Sequence, residues 1–177
     1  IFRKRYPQDA GLPHILLSQG LLLRELGAPQ AALGKFHSVL SATLNLNLDE
    51  FDYYRKLVLV AQGQIAETLY AQGKLDEAAE KYTVLLRDDS KHLNRPRIRY
   101  QLIQCLEGQG RHADLVAHAR IFLGTDLAGD EDPHATALVP HVRYLLATAL
   151  KQLGRTGEAL AEVKALLEAA AGHDSPA

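Results

Sequence analysis

Four glycines, each lying between two apolar helical segments, are the feature that most restricts how this chain can fold. They are Gly27, Gly73, Gly110 and Gly154, which end the stretches LLLRELG, TLYAQG, CLEGQG and ALKQLG. A short polar stretch and a second apolar segment follow each glycine, and the apolar residues on both sides recur with the i, i+3, i+4 spacing of a helix. Glycine suits a helix end because it adopts the left-handed backbone conformation without steric strain. The sequence therefore predicts four helical hairpins.

The pattern predicts eight helices near residues 12–26, 29–43, 50–72, 75–87, 95–109, 112–123, 140–153 and 156–170. Two insertions make the spacing between successive hairpins unequal. In the first, residues 44–56, we expect Asp49 to cap the third helix and Asp52 to lie in its first turn, because acidic side chains favour helix N-termini. The second, residues 124–140, contains glycines, acids and two prolines, and predicts a loop with Pro140 near the first turn of the next helix.

The hairpins resemble tetratricopeptide repeats (TPRs), in which the first helix carries a large residue, Leu-Gly and an aromatic, and the second carries Ala-x3-Phe. The matching residues in the first, second and fourth hairpins are Leu16, Gly20, Leu23, Ala32 and Phe36; Ile65, Ala66, Leu69, Ala78 and Tyr82; and Leu146, Ala147, Leu150, Ala159 and Val163. The third hairpin keeps Leu102 and Leu106 but has Leu115 and Ala119 in place of the small and aromatic pair. The resemblance implies an all-α fold, a right-handed α-solenoid of about four hairpins with longer insertions between repeats.

Small residues at the motif positions have a predicted packing role. Gly20, Ala66 and Ala147 on first helices, and Ala32, Ala78 and Ala159 on second helices, are expected where two helices approach most closely. Larger side chains there would force the helices apart, which typically costs about 1–3 kcal/mol. Phe36 and Tyr82 are expected to fill the gap towards the next repeat. Because each hairpin leaves an apolar face open, neighbouring hairpins must stack.

The predicted organisation is a single array over residues 8–171, with repeats near 12–43, 50–87, 95–123 and 140–170. Residues 1–7, IFRKRYP, resemble the end of the second helix of an upstream repeat, and the sequence contains no methionine. We therefore expect the chain to be a piece of a longer protein. Residues 172–177 lack apolar spacing and are expected to fray.

Net charge and the length of the apolar stretches limit the kinds of partner that this chain is expected to bind. The 20 basic and 21 acidic side chains give a net charge of −1, which argues against nucleic-acid binding. No apolar stretch is long enough to span a bilayer, so we expect no direct membrane insertion. The single cysteine, Cys105, leaves the redox compartment open. The segments RYP and VRYLLATALKQLG resemble TPR segments of bacterial envelope proteins, including outer-membrane assembly lipoproteins, but also of cytoplasmic arrays, so the sequence leaves localisation and oligomeric state open.

No arrangement of residues predicts catalysis, a cofactor or a metal site. His112 and His118 are six residues apart, which does not bring them together on one helix face, and we interpret both as surface histidines. The acidic stretch DLAGDEDPH lacks the spacing of a calcium loop and is interpreted as a solvated loop. Ser18 and Ser38 have no base indicated nearby. Cys105 lies between apolar neighbours and is predicted to be a small buried hydrophobe.

The resemblance implies a non-catalytic scaffold that binds a protein or peptide segment along the inner face of its first helices. Side chains on those helices that are not needed for packing within their own hairpin are the predicted contacts: Leu17, Leu21, Arg24, Glu67, Tyr70, Tyr100, Gln104, His141, Tyr144, Thr148 and Lys151. Tyrosine combines apolar area with a hydroxyl and is enriched at interfaces. The sequence leaves open whether Tyr100 and Tyr144 bind a partner or pack between neighbouring first helices.

The predicted ligand is an internal segment of a partner. The lysine-and-asparagine set with which some TPR domains hold a terminal carboxylate is missing, because Leu21, Glu67, Gln104 and Thr148 stand where asparagine would help. Two other functions stay open at this point. The array could be a regulatory or substrate-docking segment of a larger enzyme or regulator whose catalytic domain lies outside this chain, or a structural spacer or self-association module.

Overall fold

The structure, a computed structural model, describes residues 11–44, 51–127 and 133–173, and within these ranges it is all-helical with no strand. The chain divides into two compact units, Ile1–Leu93 and Asn94–Ala177. Each unit contains two hairpins of a helical repeat-like architecture. The helices of the N-terminal unit are α1 (Leu12–Glu25), α2 (Pro29–Thr43), α3 (Phe51–Ala71) and α4 (Leu75–Arg87).

The C-terminal unit has the same order of elements. Its helices are α5 (Arg95–Gly108), α6 (His112–Ile121), α7 (Pro133–Gln152) and α8 (Thr156–His173), and a π-helical turn, Phe122–Asp126, continues α6. Six of the eight predicted helices agree with these bounds to within about two residues. The prediction of four helical hairpins is therefore confirmed within the described residues. It was made from the apolar periodicity and the turn glycines.

The four hairpin turns have the same backbone geometry. Gly27, Gly73, Gly110 and Gly154 have φ between 67° and 73°, and in the described part of the chain they are the residues with positive φ. In each turn the residue after the glycine donates its N–H to a carbonyl five residues earlier, as Lys74 does to Leu69 at 3.0 Å, and the glycine donates to a carbonyl three residues earlier. This is a Schellman motif, which satisfies the last carbonyls of the first helix. Glycine is required at these turns by the positive φ and not by close packing, because nothing lies within 4 Å of where the β-carbons would be.

In the N-terminal unit each helix packs on its sequence neighbour, and the two first helices, α1 and α3, also contact each other. Helices α1 and α2 approach closely at Gly20, as predicted, and the side chain that lies against Gly20 is Phe36, which the sequence analysis expected towards the next repeat. Phe36 and Ala32 are fully buried, and Ala78 and Tyr82 of α4 are at most 2% exposed. The small and aromatic residues of the repeat pattern are therefore core residues here.

The C-terminal unit repeats this arrangement, with α5 contacting both α6 and α7, and α7 contacting α8. Its core contains Leu102, Leu106, Leu115, Leu146 and Leu150, all at most 2% exposed. On α8, however, Val163 is 41% exposed, although it stands at the position that Phe36 and Tyr82 occupy in earlier hairpins. Within the described residues α8 is the last helix, so no following helix covers this position.

Two sequence predictions about the second insertion are wrong. Helix α7 begins at Pro133, so Pro140 lies inside the helix and not near its first turn. Pro133 satisfies the same preference for a proline at a helix start, and burial of Ala135 favours the longer helix. The predicted loop from residue 124 is also wrong at its start, because the π-helical turn holds residues 122–126. That turn places Phe122 and Asp126 in the interior, and their burial explains why it forms.

Some predictions concern residues outside the described ranges. They are the upstream tail at residues 1–7, the Asp49 cap, and residues 128–132 of the acidic stretch. Asp52 does lie in the first turn of α3, as predicted. Helix α8 continues through His173, two residues into the predicted tail, and residues 174–177 lie outside the described part.

Candidate partner-binding surface

The predicted contacts of the N-terminal unit lie on α1 and α3. Leu17 is only 8% exposed, so the structure places it in the core, where it offers little area to a partner. Leu21 and Tyr70 are half-buried. Arg24 of α1 donates from its guanidinium to the Glu67 carboxylate of α3 at 2.9 Å, with each side chain about a quarter to a third exposed. This ion pair joins the two first helices, which the sequence did not predict.

In the C-terminal unit three of the predicted contacts form a chain of hydrogen bonds between α5 and α7. The Gln104 amide donates to the Tyr100 hydroxyl at 3.2 Å, and that hydroxyl lies 2.7 Å from Nδ1 of His141. Because the hydroxyl oxygen can accept a second hydrogen bond, the donor in the Tyr100–His141 bond depends on the tautomer of His141.

The His141 ring also contacts the rings of two tyrosines, Tyr100 and Tyr144. Its ring meets Tyr100 edge-on, with centroids 5.7 Å apart, and stacks nearly parallel to Tyr144 at 6.4 Å and 12°. The sequence left open whether the tyrosines pack or bind, and the structure separates them. Tyr100 is half-buried and bonded across to α7, whereas Tyr144 is 58% exposed. Tyr144 therefore offers a large ring face to solvent.

The remaining predicted contacts of this unit are Thr148 and Lys151, which follow Tyr144 along the same side of α7. Both are exposed. The Thr148 hydroxyl donates to the Tyr144 carbonyl at 3.0 Å, a common bond within a helix. The structure thus places His141, Tyr144, Thr148 and Lys151 together on one exposed stripe, with Tyr100 and Gln104 beside it on α5. Their role in binding stays a prediction.

A buried polar cluster in the third hairpin was missed by the sequence analysis. Arg99 of α5 forms a two-pronged ion pair with Asp126 of the π-helical turn, and its guanidinium also lies 3.1 Å from Nδ1 of His118 on α6. The side chains of Arg99 and Asp126 are 7% and 3% exposed. Burial, and then the charge of Arg99, lowers the pKa of His118 from its ordinary value. His118 is half-buried and takes part in this cluster, which its interpretation as a surface histidine did not predict.

The sequence contains only a weak indication of this cluster, namely an arginine at a buried position of α5. Arg99 stands between buried positions of α5, and Asp126 lies in an insertion whose path the sequence does not define. The cluster holds the irregular third hairpin together, since Arg99 contacts both α6 and the turn after it. This hairpin lacks the small and aromatic pair of the TPR pattern, and a polar interaction occupies part of its core instead.

The other polar groups considered in the sequence have ordinary structural roles. Cys105 is fully buried, and burial raises the pKa of its thiol to about 11, which keeps it protonated and unreactive near neutral pH. Ser18 and Ser38 donate to carbonyls one helical turn earlier. His112 is half-buried and His134 exposed. Within residues 11–44, 51–127 and 133–173, no group of three or more His, Cys, Asp or Glu side chains could hold a metal ion, and no helix is long and apolar enough to cross a membrane.

No family model matches the chain, and no curated protein matches it either.

Proposed function

We propose that the chain is a non-catalytic, TPR-like α-solenoid module that binds a segment of a partner protein on the side formed by its first helices. The observation that carries this proposal is the stripe of His141, Tyr144, Thr148 and Lys151 on α7. Its aromatic rings are stacked on one another, and the Tyr144 ring is 58% exposed. An exposed, pre-ordered aromatic side chain loses little conformational entropy on binding, which favours its use as an anchor.

The pairing of neighbouring first helices supports this assignment. Arg24 with Glu67, and Tyr100 with His141, connect α1 to α3 and α5 to α7 respectively. These contacts hold adjacent first helices side by side within each unit. A binding surface built on helices that are fixed by such contacts stays close to its bound geometry.

The test is a pull-down that compares the wild type with a variant in which Tyr70, Tyr100 and Tyr144 are replaced by alanine. We expect the variant to lose the specific partners that the wild type captures, because aromatic anchors carry much of the energy of interfaces. A matched control truncates three exposed apolar side chains of second helices, Val84, Leu160 and Leu167, to alanine. Circular-dichroism melts must show that both variants are folded.

The control defines the contrary outcome. Val84 lies on α4, and Leu160 and Leu167 lie on α8, so the control removes exposed apolar side chains from second helices. If the tyrosine variant captures the same partners as the wild type while the control variant loses them, second helices form the interface and the proposal is wrong.

A further inference from the structure

A small cleft lies in the N-terminal unit between the second helices α2 and α4, and α3 forms part of its wall. Its volume is about 140 Å³, close to that of an apolar cavity that holds a single benzene ring. Helix α3 packs against both α2 and α4, so the cleft belongs to the junction of the first two hairpins. Two residues from each helix line it: His37 and Leu40 of α2, Gln62 and Ile65 of α3, and Lys81 and Val84 of α4.

The apolar lining of the cleft extends from the core to the surface. Ile65 is 3% exposed, Leu40 is half-buried and Val84 is 47% exposed. Val84 is the one large apolar side chain of α4 that the packing of this unit leaves exposed. A ligand side chain that entered the cleft would remove Val84 from water and contact the other two residues, and burial of apolar area favours binding.

The polar side chains of the cleft supply hydrogen-bond donors and a positive charge. Lys81 and His37 are exposed, and Gln62 is half-buried. In the part of the chain that the structure describes, none of these three side chains has a hydrogen-bond or ion-pair partner. Arg24 and Arg55 of the same unit differ, because both are held by carboxylates. The ammonium group of Lys81 is therefore available to a ligand.

The charge around the cleft favours an acidic ligand. None of the lining residues is acidic, and α2 contains Lys35 but no aspartate or glutamate. The acids of α4 lie outside the lining. Glu77, one helical turn before Lys81, pairs with Lys74 at 3.7 Å. The positive charge of Lys81 is thus opposed by no carboxylate among the residues that line the cleft.

We propose that this cleft is a docking site for one large apolar side chain of an acidic segment of a partner protein. A leucine or phenylalanine of that segment fills the space between Leu40, Ile65 and Val84. A carboxylate next to it in the segment pairs with the Lys81 ammonium. The Gln62 amide, which has both donors and an acceptor, bonds to a backbone group of the segment.

The cleft is separate from the first-helix contacts of the proposed function. On α3, Glu67 follows Gln62 by five positions, and Tyr70 follows Ile65 by five. Five residues correspond to about 140° around a helix of 3.6 residues per turn. A partner on the first-helix side and a partner in the cleft therefore meet different faces of α3, and this inference goes beyond the proposed function.

The test is a two-dimensional NMR titration of the isotope-labelled full chain with three peptides of about ten residues that have blocked ends. The first has a central phenylalanine with two glutamates on each side in a serine background. The second has alanine in place of the phenylalanine, and the third has lysines in place of the glutamates. We expect the first to shift amide signals of α2 and α4 around the cleft. The alanine peptide should bind at least about tenfold more weakly, because the ring supplies most of the buried apolar area.

The lysine peptide tests the charge, and we expect it to bind at least about threefold more weakly, since its ammonium groups repel Lys81. Lys81→Gln is expected to weaken the glutamate-flanked phenylalanine peptide about threefold for the same reason. Lys164→Gln is the matched control, because it removes the same charge from an exposed position on the second helix α8. It should leave that affinity unchanged, since salt screens a distant surface charge.

Val84→Asp tests the apolar contact. It places a carboxylate in the cleft and is expected to weaken the phenylalanine peptide at least about tenfold, because the charge must lose water when the ring enters. Leu160→Asp is its matched control, since Leu160 is an apolar side chain of α8 that is 55% exposed. We expect this control to bind within about twofold of the wild type. Circular-dichroism melts confirm that the variants are folded.

Several results would overturn the proposal. They are the absence of binding, equal binding of the phenylalanine peptide and either of the others, equal losses in a variant and its matched control, and signal shifts confined to other helices. A dimer of the chain that Val84→Asp abolishes would assign the cleft to a second copy, which would also overturn it.

The proposed function fails or stands separately, because none of these variants changes Tyr70, Tyr100 or Tyr144. If the tyrosine variant captures all partners as the wild type does while the phenylalanine peptide binds the cleft, the first-helix assignment is wrong and the cleft assignment stands. If the pull-down depends on the tyrosines while the peptide does not bind, the reverse holds.

Discussion

Gly20 of α1 faces the ring of Phe36 on α2 so closely that a β-carbon at residue 20 would lie within 3.0 Å of three ring atoms. Phe36 is fully buried, so its ring cannot move without disturbing the core around it. The absence of a side chain at residue 20 therefore sets how near the two helices of the first hairpin can come.

Gly20→Ala is expected to lower the free energy of unfolding by about 1–3 kcal/mol through overpacking. Gly34→Ala is the matched control, because Gly34 also lies within a helix but has nothing within 4 Å of its β-carbon site. Alanine should stabilise that position by up to about 1 kcal/mol, since it is the better helix former. Chemical-denaturation curves measure both, and equal effects would show that the Gly20–Phe36 contact does not limit the packing.

Ala78→Leu is expected to destabilise the protein by about 1–3 kcal/mol for the same reason. Ala78 is fully buried on α4, so the additional atoms of a leucine would have to displace neighbouring side chains. His134→Ala changes an exposed side chain and should leave the denaturation midpoint nearly unchanged. A tolerated leucine would mean that α3 and α4 can separate at little cost.

Arg99→Met is expected to cost about 3–5 kcal/mol, because it leaves the Asp126 carboxylate buried without its cation. The control is Arg120→Met. Arg120 pairs with Glu158, but both side chains are about half exposed, and exposed ion pairs add little to stability because water and salt screen them. Urea denaturation of the two variants gives the comparison. Similar losses would contradict a special role for the buried pair.

Stability is expected to fall as the pH drops below about 6.5, in part through His118. The folded protein lowers the pKa of His118 below its ordinary value of 6.5, mainly by burial and then by the charge of Arg99. The unfolded chain therefore binds the proton more readily, so the contribution of neutral His118 is complete above that pH and is lost as pH falls through the folded pKa. Asp114 and Asp126 oppose this effect, and Arg111 adds to it.

The replacement His118→Asn isolates this contribution. The asparagine carbonyl can still accept from Arg99, but it does not titrate. Unfolding free energies of wild type and variant, measured from pH 7.5 to 5, should show a smaller loss of stability in the variant. An identical pH dependence in the two proteins would show that His118 does not contribute to the loss of stability.

Cys105 should react slowly with thiol reagents in the native protein. Its side chain is fully buried, and burial raises its thiol pKa to about 11, so little thiolate is present at pH 8. Labelling is expected to become rapid in denaturant, when the thiol regains an ordinary pKa and access to the reagent. Rapid labelling of the folded protein would show that α5 opens locally.

Several features of the fold could be predicted from the sequence because they depend on local interactions. Apolar spacing gave the extent of α2 and α4 to the residue, since an amphipathic pattern specifies a helix and the face that it buries. The turn glycines could be identified because positive φ restricts the choice of residue whatever the surroundings. A close helix approach at Gly20 was predictable because a residue without a side chain fits where two helices meet, whereas its contact with Phe36 was not predicted.

What the tertiary structure decided depends on residues that are far apart in the chain. The start of α7 at Pro133 could not be separated from a start at Pro140, because both prolines satisfy the same local preference and burial of Ala135 settles the choice. The ion pair of Arg99 with Asp126 spans an insertion whose path no local pattern defines. The hydrogen bond between Tyr100 and His141 likewise exists because α5 and α7 pack side by side. Amino-acid order determines which faces are apolar, whereas the partners of polar side chains follow only from the packing of those faces.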